Sequence, residues 1–329
     1  MQTKIVSDSS DALISLIESV RLCYQPPPVK KKCGKQPDFS DVSFLLLSVA
    51  AVVLKTFSDS ALARLLAQDD ALCRACGFCR VPHRTQIGRR LKSVLGAAED
   101  QVSAFGEKIL AQVKLPPECS QVSATDGRMY QAQGAKWHKS DRQQNSIPAG
   151  LRNVDSESSW SRSHYRGWVQ GYRLVLQTLV FPEPVPLFAV WRENSRSEAA
   201  ILLEELETER LAVTEVNLGD CRLGELELPH KYEEKGGWLL TPREFSADRR
   251  SFKQDLYEYR KETIELLFQR IMQAFDLRIC PVKGKAKNGA FVLASVWVYQ
   301  ICFLKNYQEN KPLADVKEQI EKAHWRIKF

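Results

Sequence analysis

The apolar pattern changes character at Pro116-Pro117, and that change constrains the fold more than any other feature of the chain. Before it, apolar residues recur at helical spacing. Ile14, Leu16, Ile17, Val20 and Leu22 mark one amphipathic helix within residues 1–24, and Ile87, Leu91, Val94 and Leu95 mark another, with Arg89, Arg90 and Lys92 beside them. Residues 44–57 are apolar enough for a buried helix. After the prolines the runs have strand length: 121–130, 171–181 (GYRLVLQTLVF), 186–191, 213–218 and 237–240. Helical stretches at 197–210, 222–234, 255–275 and 290–307 are interspersed with them. The expectation is an all-helical region over residues 1–115 followed by an α/β region over 116–329. Residues 134–165 are polar, rich in Trp and Ser, and read as loop.

With 44% apolar residues and seven tryptophans the chain can build a real core and does not read as disordered. The longest apolar stretches, 42–54 and 290–304, fall short of the roughly 20 residues that span a bilayer. The N-terminus lacks a basic segment followed by an apolar run. The expectation is a soluble, intracellular protein. A net charge of +7 suits a polyanion partner and equally a merely basic protein. The segment PPPVKKKCGK, residues 26–35, reads as a solvated linker. Nine cysteines in such a chain read as free thiols. Cys73-x-x-Cys76-x-x-Cys79, with His83 close by, has thiolate-metal spacing but no second pair, so a metal-thiolate regulator and a plain helix end both remain open.

Three acids stand where chemistry can use them. Asp126 lies inside a strand (QVSATDGRMY), where a lone buried carboxylate is costly unless paired or metal-bound. Asp220 ends another strand (AVTEVNLGD), and Glu265 sits on a helix among Ile264, Leu267, Phe268 and Ile271. Converging carboxylates suit Mg²⁺, which prefers oxygen ligands. Two such ions activate an attacking oxygen and stabilise a leaving one in phosphodiester chemistry. By spacing alone these three are one triple among many in a chain with 40 acids.

The surrounding residues select them. Asp126-Gly127, Gly134-Ala135-Lys136-Trp137, Ile147-Pro148, Trp160-Ser161 and Arg166-Gly167-Trp168-Val169-Gln170-Gly171-Tyr172-Arg173 together resemble the catalytic domain of DDE transposases of bacterial insertion sequences. Gly219-Asp220 resembles that family's second acid, and Ile264-Glu265-Leu266-Leu267-Phe268 its third. The resemblance implies a ribonuclease-H-like mixed sheet with flanking helices, preceded by an all-α N-terminal domain for DNA binding or assembly. It implies Asp126, Asp220 and Glu265 as the catalytic, metal-binding acids, with Mg²⁺ or Mn²⁺, two ions, as cofactor. It implies double-stranded DNA as partner (element ends and target), a homodimer in the DNA complex, and a bacterial cytoplasmic, nucleoid-associated setting. Three positions depart from the family pattern. Cys221-Arg222-Leu223 follows the second acid where a Tyr is usual. Lys261, with Arg260 beside it, stands where an Arg commonly precedes the Glu by four. Met272 replaces a Lys seven residues after it, with Arg270 a nearby substitute. A transposase-derived DNA-binding protein with impaired or lost catalysis is the alternative these departures keep open.

Basic residues outnumber acids from 126 to 173. Arg128, Lys136, Lys139 and Arg166 are candidates for phosphate contacts, and Trp137, in a polar segment, for stacking on an unpaired base. Trp168 and Tyr172 read as core. Arg260, Lys261 and Arg270, in and beyond the basic stretch 243–261, either approach scissile phosphates or form solvated surface. The helix near 85–92 either enters a groove as part of a helix-turn-helix-like unit or simply packs in a helical domain.

Overall fold

The computed structural model describes residues 2–26, 38–113, 116–137, 139–225, 227–242 and 252–324. Most of the 26–35 linker and the 243–250 part of the basic stretch lie outside them.

The chain begins with α1 (Gln2–Cys23), α2 (Asp41–Val53), α3 (Asp59–Gln68), α4 (Asp70–Ala75), α5 (Arg84–Ser93), α6 (Leu95–Gln112) and a single turn, α7 (Pro117–Ser120). It continues with β1 (Val122–Gln131), α8 (Lys139–Gln144), β2 (Ser159–Ser163), β3 (Gly167–Leu179) and β4 (Pro186–Glu193). Then follow α9 (Glu198–Glu207), β5 (Val216–Leu218), α10 (Leu228–Glu234), β6 (Trp238–Leu240) and α11 (Phe252–Arg260). A π-turn, Lys261–Glu265, leads into α12 (Leu266–Phe275), and α13 (Lys285–Gln308) and α14 (Lys317–His324) close the chain.

Two compact units result, and their boundary differs from the sequence expectation. One holds residues 1–105, 274–276 and 286–329; the other holds 106–273 and 277–285. The C-terminal helices, expected with the α/β region, cluster instead with the N-terminal helices. Local pattern identifies a helix as apolar but does not say which core it completes. Within this helical unit α2 is buried from Ser43 onward. Lys287, itself buried, pairs with Asp59, and Gln300 donates to the Val102 carbonyl at 2.9 Å. The apolar part of α13 is long enough to cross a membrane by composition and is buried throughout. Cys73 and Cys76 are buried, burial raises the Cys76 thiol well above its ordinary value, and His83 Nδ1 caps α5 at the Thr85 N–H.

The second unit is built on a six-stranded sheet, ordered β2-β3-β1-β5-β6, with β4 also on β3. β3 runs antiparallel to β1, β2 and β4, whereas β5 and β6 run parallel to β1. This mixed sheet with flanking helices has the ribonuclease-H-like strand order. Gly171 is required where β3 crosses β1, because a Cβ there would lie 1.9 Å from the Tyr130 carbonyl oxygen. Buried polar groups lock β1 to β5. Thr125 Oγ1 donates to Asn217 Oδ1 at 2.9 Å, and Ser123 Oγ lies 3.2 Å from the same atom. In a low-dielectric core such satisfied bonds fix strand register. Residues 134–165, expected as loop, contain α8 and the edge strand β2.

Candidate active site

The register just described sets the site. Asp126 lies near the middle of β1, and Ala124, two residues earlier, pairs with Leu218 at the end of β5. Asp220 follows two residues later, which brings it level with Asp126 just beyond the end of the neighbouring parallel strand. Asp220 Oδ1 accepts from the backbone N–H groups of Arg222 (2.9 Å) and Leu223 (3.1 Å), which fixes its turn. Asp126 Oδ1 accepts the Gly127 N–H at 2.9 Å.

The third acid to join them is not Glu265 but Glu198, which the sequence reading missed. One carboxylate oxygen each from Asp126, Glu198 and Asp220 lies within 4.8 Å of the others. Among the described residues this is the one such convergence of acids, cysteines and histidines. Glu198 opens α9 behind the N-cap Ser197, whose Oγ accepts the Ala200 N–H at 3.2 Å. Side chains alternate across a strand, so Gly127 faces the side opposite Asp126. Glu198 crosses from α9 over Gly127, where a Cβ would come within 2.4 Å of its Cδ. Arg173, almost fully buried on β3, pairs with Glu198 at 3.2 Å and also donates to the Arg196 carbonyl at 3.1 Å.

Glu265 reaches the site through an arginine. Arg260, 5% exposed, places Nη2 3.0 Å from Asp126 and Nη1 3.4 Å from Glu265, whose side chain is 54% exposed. The π-turn makes this possible. Its five residues insert one position into the helix, so Arg260, five residues before Glu265, takes the inward place that α-helical counting gives to Lys261. Lys261 is exposed.

The electrostatics follow from burial. Burial raises the Asp126 carboxyl above its ordinary value; Arg260 and the Gly127 N–H oppose the shift, and Asp220 and Glu265 add to it. Burial also raises Glu198; Arg173 pulls it down, Asp126 and Asp220 push it up, and it settles at about 7. Burial lowers Arg260, but Asp126, Asp220 and Glu265 hold it above its ordinary value. A folded carboxyl that binds its proton more tightly than the unfolded one, near 4.3, stabilises the fold at low pH. That contribution is lost as pH rises through the folded value. In chelator, the melting temperature should therefore fall between about pH 5 and pH 7, and Glu198→Gln should flatten the fall. A melting temperature flat across that window in the native protein would contradict the assignment.

The donor set fits a divalent cation. Oxygen–oxygen spacings in an octahedral Mg²⁺ shell run from about 3 to about 4 Å, so small side-chain rotations bring the three oxygens into range. Gly127 keeps the space over β1 clear of a side chain.

The predicted DNA-binding residues separate into groups. Arg128, Arg166, Lys261 and Arg270 line one groove of about 1070 Å³ together with Glu265. Arg278, Phe181 and Tyr259, which the sequence reading did not single out, line it too; Phe181 and Tyr259 meet edge-on at 4.9 Å. Arg270 pairs there with Glu183 at 3.2 Å, and Arg166 donates to the Met129 carbonyl at 3.0 Å. Lys136 is exposed elsewhere. Lys139 opens α8, and its side chain lies outside the described residues. Arg260 is not a surface cation but the counterion of the acids. Trp137 also departs from expectation: it is 4% exposed and packs edge-on against Trp160 at 5.5 Å, with Arg142 over the Trp160 ring. Two large rings in a polar segment bury each other, and neither offers a free face to a base.

No family model and no curated protein matches the chain. The solved structures similar to it include "Crystal structure of the Mos1 Strand Transfer Complex", 12% identical, covering 91% of this chain and 79% of that one, with a TM-score of 0.30. A piggyBac transposase synaptic complex with hairpin DNA is 9% identical, covering 98% and 77%, with a TM-score of 0.42. A Mos1 mariner paired-end complex with Mn is 12% identical, covering 82% and 80%, with a TM-score of 0.20. Likenesses this distant leave function to be read from the site itself.

Proposed function

We propose that this chain is a DDE transposase of the bacterial insertion-sequence type. It cuts DNA at the ends of its own element and uses the freed 3′-hydroxyl to attack target DNA. The observation that carries the reading is the meeting of Asp126, Asp220 and, through Arg260, Glu265 at one end of a mixed sheet, beside a basic groove. The three come from distant segments and converge in space, as carboxylates that share metal ions must. When bound, Mg²⁺ or Mn²⁺ activates the attacking oxygen and neutralises the leaving one. Asp126, Asp220 and Glu265 would hold the ions; Asp126 neighbours Asp220 and meets Glu265 through Arg260. Arg128, Arg166, Lys261 and Arg270 take backbone phosphates along the groove. Each element end is double-stranded DNA held by a homodimer, in a bacterial cytoplasm at the nucleoid.

Two tests bear on this. The DNA flanking the gene should carry short inverted repeats bracketed by a target duplication. A duplex bearing those repeats should be nicked in Mg²⁺ and left whole in chelator. Tight binding of that duplex with no nicking in Mg²⁺ or Mn²⁺ would instead indicate a transposase-derived DNA-binding protein. The groove makes its own prediction. Arg128→Glu with Arg270→Glu should weaken duplex binding at least about tenfold and shallow the salt dependence by about two phosphate contacts' worth. Fluorescence anisotropy across a salt series would show it, and an unchanged slope would place the DNA elsewhere.

A further inference from the structure

We propose that Glu198 is a metal-holding residue of this site, completing with Asp126 and Asp220 a cation site that loads before DNA arrives and without Glu265. The inference rests on the metal-dependent reading above and assigns a residue that reading does not use.

Three observations carry it. First, Glu198 and not Glu265 brings a carboxylate oxygen within 4.8 Å of those of Asp126 and Asp220. Second, the strand is shaped for it. Glu198 passes over Gly127, where a Cβ would sit 2.4 Å from its Cδ and 2.6 Å from both Cγ and Oε1. A Cβ at 127 forces the Glu198 side chain to shift from this position. Third, the carboxylates differ in how they are held. Glu198 has an 11% exposed side chain, starts a capped helix and is braced by the buried Arg173. Glu265 is mostly exposed, and its contact in the site is the 3.4 Å pair with Arg260, whose other nitrogen holds Asp126.

Charge supports the same assignment. Asp126, Glu198 and Asp220 crowd together with Arg173 and Arg260 as the arginines paired to them. Carboxylates crowded together away from water repel one another, and a divalent cation with oxygen ligands offsets that cost. The arrangement therefore separates two tasks: Glu198 makes the first cation site from a rigid helix end, and Glu265 acts from the exposed side, toward the groove.

The test measures Mn²⁺ binding to the DNA-free, full-length chain, by the loss of the free-ion electron paramagnetic resonance signal and by calorimetry. The native chain should bind Mn²⁺. Glu198→Gln should weaken binding by at least about the tenfold that loss of a supporting group costs at metal sites, and by clearly more than Glu265→Gln does. Circular dichroism checks that each variant is folded. If Glu198→Gln fails to fold, because Arg173 loses its charged partner, Gly127→Ala decides. It keeps every carboxylate and displaces only Glu198, and it should weaken Mn²⁺ several-fold. No Mn²⁺ binding by the native chain would overturn the inference, as would native-like binding by a folded Glu198→Gln or by Gly127→Ala. So would an equal loss in Glu265→Gln. Failure of the transposase reading is a separate result: Mn²⁺ binding lost in Glu198→Gln, with no nicking of any element-end duplex, leaves the cation site standing and removes the proposed reaction.

Discussion

Asp126→Asn is expected to reduce strand cleavage by about 10³-fold or more while duplex binding stays within about threefold of native. The argument is positional. Asp126 is the acid that the others share: it converges with Asp220 and Glu198 and meets Glu265 through Arg260. Asparagine keeps the shape, and its side-chain oxygen can still accept the Gly127 N–H. What disappears is the negative charge at the point where the acids converge, which on the proposed reading would hold a cation. Binding survives because the groove cations, Arg128, Arg166, Lys261 and Arg270, lie along the groove wall and not among the converging acids. Gel cleavage and anisotropy on one duplex separate the two effects. Cleavage within tenfold of native would remove Asp126 from the centre of the mechanism.

The second large effect is on stability. Arg260→Ala should destabilise the metal-free protein by about 3 kcal/mol or more, because it leaves buried acids without their cation. That is a drop in melting temperature on the order of 5 °C. Lys261→Ala, one residue on, should cost less than about 0.5 kcal/mol, since the side chain is exposed. The contrast tests the π-turn directly. In an uninterrupted helix the inward-facing basic residue is the one four before Glu265, and the two effects would be reversed. Melting of both variants in chelator reads the outcome.

That register explains how much of the site was legible in the sequence. Strand-length runs at 121–130 and 171–181 were visible because strands buried on their faces must be apolar, and β1 and β3 lie where those runs do. Asp126 showed as a carboxylate among apolar neighbours. Arg260 showed only as a candidate phosphate contact and not as the acids' counterion, because counting by four assumes an unbroken helix, and nothing in YRKETIE marks one residue too many. Glu198 was silent for a different reason. An acid in the first turn of a helix is favoured by the helix dipole alone, so Ser197-Glu198 looks like ordinary capping. The signal that could have found it is on another strand: Gly127, beside a strand acid, is a position kept empty. The fate of residues 286–329 was hidden too, since their periodicity fixes a buried helix and leaves its neighbours open.

The arginines paired to these acids bear on how the site forms. Arg173 and Arg260 hold Glu198, Asp126 and Glu265 with charges that belong to the chain itself. In many small metal-binding domains the ion is the nucleus around which the ligands gather, and without it they scatter. Here the ligands are gathered by covalently attached counterions, so the nascent chain can finish its active centre in a compartment poor in free metal. On the proposed metal-dependent reading, maturation and arming are separate events: the fold is completed first, and the supply of cations then sets when the assembled centre can act.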